Sequence, residues 1–435
     1  MRDPVTDLNR RGRLIFGSVL LFALLHAALY VVTVPTWDLF DEEQHLSYAL
    51  HLIDEGEIPR VDDPVQQRIL DSAVATDRWS TLRIGRPVGL AVNEFGLEGW
   101  SYEGYHPPLY YALVSPLTLL SGDDAWRELY AARLFGLALL FALAAICWGY
   151  ARDWLPDADP AVWGTIVVIV VSIPAVAAAA GRVNNDLLAG LLLAAGTLMA
   201  GRLLEDRRND EALLLGLMAA AAILTKGQGV VLLLVAVTAV ALLLGRRQLT
   251  ATIFALAVGP GLTALAGWSL WTWARYDTLN SSQAFLDLVG PFESLGLVDI
   301  AGELWLNGWS SYWGAYDGGS LRWITGMIVL AAIVAGLTGL VTGPRSWLDG
   351  LEGRDRLILS GVLLGGLLAT AWVANDSGLA HPHGRMLIGA FPALTTLTVA
   401  GLRRLGGDVV VIQMGIATVG LSAVYFLFWY LPFFY

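Results

Sequence analysis

Long, nearly charge-free apolar runs alternate with short clusters of Arg, Asp and Glu along this chain. Runs of about twenty apolar residues read as membrane-spanning helices. The pattern predicts about eleven of them, between nine and thirteen, over 14–34, 127–150, 160–180, 184–203, 211–226, 228–245, 250–274, 322–343, 357–375, 386–402 and 408–432. The fifth is short. A further apolar stretch, 107–120, suits an interfacial or re-entrant helix better than a span. From Glu42 to Asp54, Leu46, Ala49, Leu50 and Ile53 recur at helical spacing, with His45, Tyr48 and His51 between them. That periodicity predicts a helix lying on the outer membrane surface, its start capped by Asp41 and Gln44.

The architecture expected is therefore all-α and polytopic. It forms one integral domain over 1–435, with two long outer loops at about 35–126 and 276–321. Composition agrees: 56% of the 435 residues are apolar and only 15% are charged, against about a quarter in soluble proteins. A membrane β-barrel is excluded, because its strands would alternate apolar and polar residues. The first run follows Arg10, Arg11 and Arg13 without a cleavage site and reads as an uncleaved signal anchor.

Charge then sets the expected orientation. With a cytoplasmic N-terminus, 15 of the 27 basic residues fall in short inner segments, including the pairs Arg207–Arg208, Arg246–Arg247 and Arg403–Arg404. The net charge of −11 then divides into about −13 outside and +2 inside. No basic patch suits nucleic acid. The single cysteine, Cys147, excludes a disulfide framework within one chain.

On that topology His45, His51, His106, His381 and His383 all lie outside, as does Lys226, the only lysine. Chemistry is thus expected on the outer face, in five clusters. Trp37 to His45 packs Asp38, Asp41, Glu42 and Glu43 beside an imidazole. Carboxylates so close raise one another's pKa and can hold a proton or a divalent metal. An acidic helix start is the plainer account. Tyr105-His106-Pro107-Pro108-Leu109-Tyr110-Tyr111 is an extended entry into a helix, or an aromatic belt. Arg182-Val183-Asn184-Asn185-Asp186 puts a carboxylate at membrane depth, as a functional group or an N-cap. Thr225-Lys226-Gly227 offers a point charge for a phosphate, or a snorkelling lysine. His381-Pro382-His383-Gly384-Arg385 offers a bidentate phosphate contact, or a headgroup anchor.

The order of these motifs resembles the GT-C superfamily of membrane glycosyltransferases. The likeness is strongest to bacterial members of the protein O-mannosyltransferase and aminoarabinose transferase groups and covers about 14 to 400. Ser311-Tyr312-Trp313-Gly314-Ala315-Tyr316 resembles a segment of one further bacterial branch. Two departures stand out: Gly384-Arg385 is followed by Met386 where that branch often carries Tyr, and no large soluble C-terminal domain follows.

The resemblance implies transfer of a sugar from a polyprenyl-phosphate carrier to a glycan, lipid or protein acceptor on the outer face, with inversion. It implies a bacterial cytoplasmic membrane enzyme that serves the cell envelope or cell wall. Asp41 takes the place of the catalytic acid, with Glu42 beside it, and Asp186 that of a second acidic position. Lys226 and Arg385 become carrier-phosphate contacts, with His45, Tyr105, His106, Arg182 and His383 as further substrate-binding candidates. Whether a divalent metal takes part is open, with Asp41, Glu42 and Asp186 its candidate ligands.

The residues alone are compatible with that chemistry. A base must deprotonate the acceptor hydroxyl, and a leaving lipid phosphate needs cations. Three other readings compete: a lipid-linked sugar flippase or transporter, a polysaccharide polymerase or ligase, and a non-catalytic scaffold. The first should show paired broken spans, the second differs in product length, and the third tolerates Ala at the charged positions.

Overall fold

A chain in hydrocarbon must satisfy its own backbone N–H and C=O groups, which favours continuous helices. The computed structural model describes residues 4–37, 41–79, 99–122, 124–291, 293–296, 319–342, 350–379 and 384–427. Among them the regular structure is helical, and a lone bridge joins Pro64 to Trp100. In chain order the helices are α1 (Pro4–Thr33), α2 (Glu42–Asp54), α3 (Gln67–Ala75), α4 (Leu109–Thr118) and α5 (Ala125–Trp154). Next come α6 (Pro160–Val171), α7 (Pro174–Ala180), α8 (Asp186–Asp206), α9 (Asn209–Ile223) and α10 (Val230–Gly245). The last are α11 (Ala251–Tyr276), α12 (Ser281–Val289), α13 (Gly319–Val341), α14 (Leu351–Asp376) and α15 (Phe391–Tyr425).

Among the described residues, seven helices are long and apolar enough to cross a membrane, or eight if the bent pair α6–α7 forms one span. The chain is an integral membrane protein. The eleven predicted runs all meet helices, but not one for one. The run 160–180 breaks at Pro174, where α6 and α7 meet at 70°, because proline cannot continue a helix without loss of a hydrogen bond. The run 211–226 yields α9, whose 15 residues are too few for a full span. The last two runs fall on α15, a stretch of two helices broken at Gly407, whose φ of 72° and ψ of −176° are not helical.

Small residues let these helices close up, as membrane packing favours. A methyl group on Gly136 of α5 would run into Ala180 O at the end of α7. One on Gly216 of α9 would strike Leu256 O in α11.

The two ends of the bundle are chemically different. At one end α8, α10 and α14 are tied by arginine pairs, Arg356 to Glu205 at 2.7 Å and Arg246 to Asp355, while Arg403 pairs with Asp408 across the Gly407 break inside α15 at 2.6 Å. The end of α1, the start of α8 and the α9–α10 turn meet at the other, beside α2 and α4. The helix expected on the membrane surface, α2, is packed into protein at this end. All nine residues of α2 from Glu42 to Leu50, His45 and Tyr48 included, are buried in protein. Its polar positions face partners from α4, α5 and the preceding loop, so amphipathic spacing read as a lipid interface is a protein interface.

Candidate active site

Each wall of the site follows from local sequence. Pro108 caps α4 and places Leu109 so that its N–H donates to Leu224 O at 2.9 Å. This bond joins the His-Pro-Pro turn to the end of α9, two residues before Lys226. Tyr111 then stacks on Tyr48 of α2, ring centroids 3.6 Å apart. Its hydroxyl meets His45 Nδ1 at 2.8 Å and accepts from Asn185 Nδ2 at 3.3 Å. Tyr48 in turn donates to His106 O at 3.0 Å. The aromatic motif is thus the joint that holds α2, α4 and the start of α8 together.

Asp41 occupies the N-cap position of α2 in the left-handed region (φ 62°, ψ 19°), which costs a non-glycine residue energy but is commoner for Asp. Its side chain does not cap the helix, contrary to expectation. It accepts instead from the hydroxyl of Tyr102, in the single turn Tyr102–Tyr105 that precedes His106. Removal from water, and after it the nearby charge of Glu103, holds the Asp41 carboxyl above the ordinary carboxylate range. The cations Arg385 and Lys226 act against this.

Asp186 begins α8 but is not its cap either. Asn184 Oδ1 accepts from the Asp186 N–H at 3.1 Å, which leaves the carboxylate for other partners. Lys226 Nζ donates to Oδ1 at 2.5 Å, and Arg385 Nε lies 3.4 Å from Oδ2. Arg385 can come this near because α8 carries Gly190, where a methyl group would collide with Ile388 in the turn Gly384–Ala390.

These groups share one cavity of about 890 Å³. Asp41, His45, Tyr105, His106, Asp186, Lys226 and Arg385 all line it. Beyond this charged end the lining turns apolar, with Val231 and Leu234 of α10, Leu265 and Trp268 of α11, and Val373 of α14. Burial lowers His45 to about 4 and carries His106 well below the usual imidazole range, so both rings are neutral near pH 7.

Two of the candidates do not line the cavity. Glu42 is fully buried against Arg133, which donates Nε to Oε1 at 2.8 Å and NH2 to Oε2 at 2.6 Å. Glu42 Oε1 also accepts from Val183 N at 3.1 Å. Arg182, likewise buried, lies off the cavity, its charge close to Tyr30. His383, with His381 and the 311–316 segment, lies outside the described residues.

Nor do the three named carboxylates converge on a metal position. Among the described residues no group of three His, Cys, Asp or Glu side chains could hold a metal ion. Glu42 is held by Arg133, and Asp186 by Lys226 and Arg385.

The comparisons with known proteins fall on this same region. Residues 105–271 match the family model described as dolichyl-phosphate-mannose-protein mannosyltransferase. Over that stretch the chain is similar to this family. It holds His106, Asp186 and Lys226 of the cavity, and the match bears out the GT-C resemblance read from the motifs. Among curated proteins nothing matches. Two crystal structures are similar in part. They are ArnT from Cupriavidus metallidurans bound to undecaprenyl phosphate (15% identity, TM-score 0.41, 94% of this chain and 79% of that one) and its apo state (16%, 0.41, 94% and 78%). Likeness at that score decides nothing about this chain.

One cavity residue, Arg78, carried no motif that sequence could single out. Glu43 pairs with Arg78 at 2.5 Å, and burial still pushes its carboxyl up to about 7. Arg78 comes from the turn after α3, and no spacing links it to α2. Tyr102 and Glu103 did have a signal: they stand immediately before the Tyr105-His106 motif, on one turn of chain.

Proposed function

We propose that the protein is a membrane glycosyltransferase that moves a sugar from a polyprenyl-phosphate carrier to an acceptor hydroxyl. The reading rests chiefly on one observation. A carboxylate held above its ordinary pKa, Asp41, lies in the same cavity as the cations Lys226 and Arg385, and that cavity continues into an apolar arm.

Each part has a chemical use. The apolar arm between α10, α11 and α14 suits a prenyl chain. Lys226 and Arg385 meet the phosphate, Lys226 as a point charge and Arg385 through its fork. Asp186 aligns both cations without occupying the phosphate position itself. Asp41, ionised and held by Tyr102, takes the proton of the acceptor hydroxyl. The acceptor oxygen then bonds to the anomeric carbon as the carbon–phosphate-oxygen bond breaks. The electron pair leaves on the lipid phosphate, where the two cations stabilise it. A single displacement of this kind inverts the anomeric centre. The polyanionic end faces outward, with the arginine-paired end inside, in keeping with the positive-inside rule.

The test is a transfer assay with purified protein in vesicles and a panel of polyprenyl-phosphate-linked sugars. The wild-type protein should transfer at least one of them, and Asp41→Asn should lower turnover by about 10²-fold or more. Asp41→Asn with wild-type turnover would remove Asp41 as the base. No transfer from any donor would remove the reading.

A further inference from the structure

One acid in the cavity has no role in that scheme. Glu42 is matched by Arg133, Glu43 by Arg78, and Asp186 by Lys226 and Arg385. Glu103 lines the same cavity, is only 4% exposed, and among the described residues has no Lys or Arg within ion-pair distance. Its neighbours are imidazoles. His106 Nε2 lies 3.0 Å from Oε2 and His45 Nδ1 lies 3.6 Å away. Neither is aligned to donate, and Oε2 accepts no hydrogen bond.

A buried carboxylate oxygen left without a donor is costly, and native proteins rarely keep one without reason. Metal holding is not supplied by its surroundings, since among the described residues no third acidic, His or Cys ligand joins it. Among the described residues a Lys or Arg partner is likewise missing. What remains is a strong acceptor turned toward a space that must admit a polyol. Its place is fixed on both sides: Tyr102 anchors one end of the same turn to Asp41, while Tyr105 packs on His106 and on Phe285 of α12.

We infer that Glu103 is a specificity-determining residue that accepts a hydrogen bond from a substrate hydroxyl. This rests on the glycosyltransferase reading above. The hydroxyl belongs either to the donor sugar or to the acceptor, and the chemistry of recognition is the same. A charged acceptor aligned on one hydroxyl discriminates strongly against an analogue without it, because the carboxylate is then left buried and unmet. The neutral rings of His45 and His106 enclose the carboxylate without taking its charge.

The experiment compares wild type, Glu103→Gln and Glu103→Asp. First, affinity is measured for bare undecaprenyl phosphate and for the sugar-linked carrier that the wild-type protein uses. All three proteins should bind bare undecaprenyl phosphate alike, which shows an intact site. If the hydroxyl is the donor's, the sugar improves affinity for wild type, and Glu103→Gln loses that improvement by about 10- to 100-fold. If it is the acceptor's, the donor improvement survives and KM for the acceptor rises by a similar factor. Loss of turnover with both quantities unmoved, or no change at all, overturns the inference while leaving the transferase reading intact. A wild-type protein that binds no undecaprenyl phosphate overturns both.

Discussion

Lys226 Nζ lies 2.5 Å from Asp186 Oδ1, and Arg385 reaches the other oxygen of the same carboxylate. One buried acid therefore holds two cations that sequence separates by more than 150 positions. The arrangement poises positive charge for an incoming anion, with Asp186 as the resting counter-ion. Replacement of Lys226 by Met should weaken binding of undecaprenyl phosphate by about 10-fold or more, because a charge-assisted contact is worth roughly 1.5–3 kcal/mol. Lys226→Arg should restore part of it. Trp268 lines the cavity, so quenching of tryptophan fluorescence on titration gives the affinity. Unchanged affinity in Lys226→Met would place the phosphate elsewhere.

The acid limb of activity should carry the signature of Asp41. A base acts only when ionised, so turnover rises with pH through its pKa. Burial first and Glu103 second hold that pKa above the ordinary range, so the limb should lie above the value of about 3.9 for a free Asp side chain. The Tyr102 hydroxyl favours the ionised form and lowers it somewhat. Tyr102→Phe should therefore shift the limb upward. Glu103→Gln, which removes a like charge, should shift it downward. A pH–rate profile of kcat/KM for the three proteins is the measurement. Identical limbs would show that Asp41 is not the group titrating.

The sequence carried the placement of these charges better than their partnerships. Asp41, Asp186, Lys226 and Arg385 stood out because charge at the edge of an apolar run is costly and therefore conspicuous. All four line one cavity. Glu42 stood out for the same reason, yet it belongs to a different neighbourhood. Successive residues at a helix start point in different directions, and its partner Arg133 lies 91 residues further on, inside a run that reads as apolar. The runs and the helices do not correspond one for one for a related reason. Hydropathy cannot see that α6 and α7 bend by 70°, although it did separate the two helices that meet at Gly407. The spacing in α2 was read correctly as amphipathic, but periodicity does not say whether lipid or protein covers a face. Here its first nine residues are buried in protein.

The turn that carries Lys226 tolerates no added bulk at its far end. Gly229 lies against the backbone of Ala222 and Ile223, and a methyl group there would overlap Ala222 C and O. Gly227, two residues earlier, has open space around its Cα. Gly229→Ala should therefore push the turn away from α9, lower the melting temperature, and weaken carrier binding together with it. Gly227→Ala should leave both nearly unchanged. Because the two substitutions add the same group within one turn, equal effects would show that chain stiffness rather than contact governs the site.

Arg133 is the clearest structural keystone of the end that holds the cavity. Fully buried, it donates to Val31 O, Val34 O and Pro35 O at the end of α1 and to both oxygens of Glu42 at the start of α2. Through Glu42 Oε1 it also reaches Val183 N, three residues before Asp186. The pair thus fixes the segment bearing Asp41 relative to the segment bearing Asp186. Breaking such a pair leaves an uncompensated buried charge and costs about 3–5 kcal/mol. Arg133→Met alone should therefore unfold or strongly destabilise the protein, as should Glu42→Ala. Glu42→Gln combined with Arg133→Met should recover a large part of the lost stability, because no isolated charge remains. A catalytic Glu42 would behave otherwise: its single Gln variant would lose turnover at nearly wild-type melting temperature. Thermal unfolding and turnover measured on the three single variants and the double variant separate these cases. Loss of stability that the double variant partly restores marks Glu42 as a positioning residue for Asp41 and Asp186.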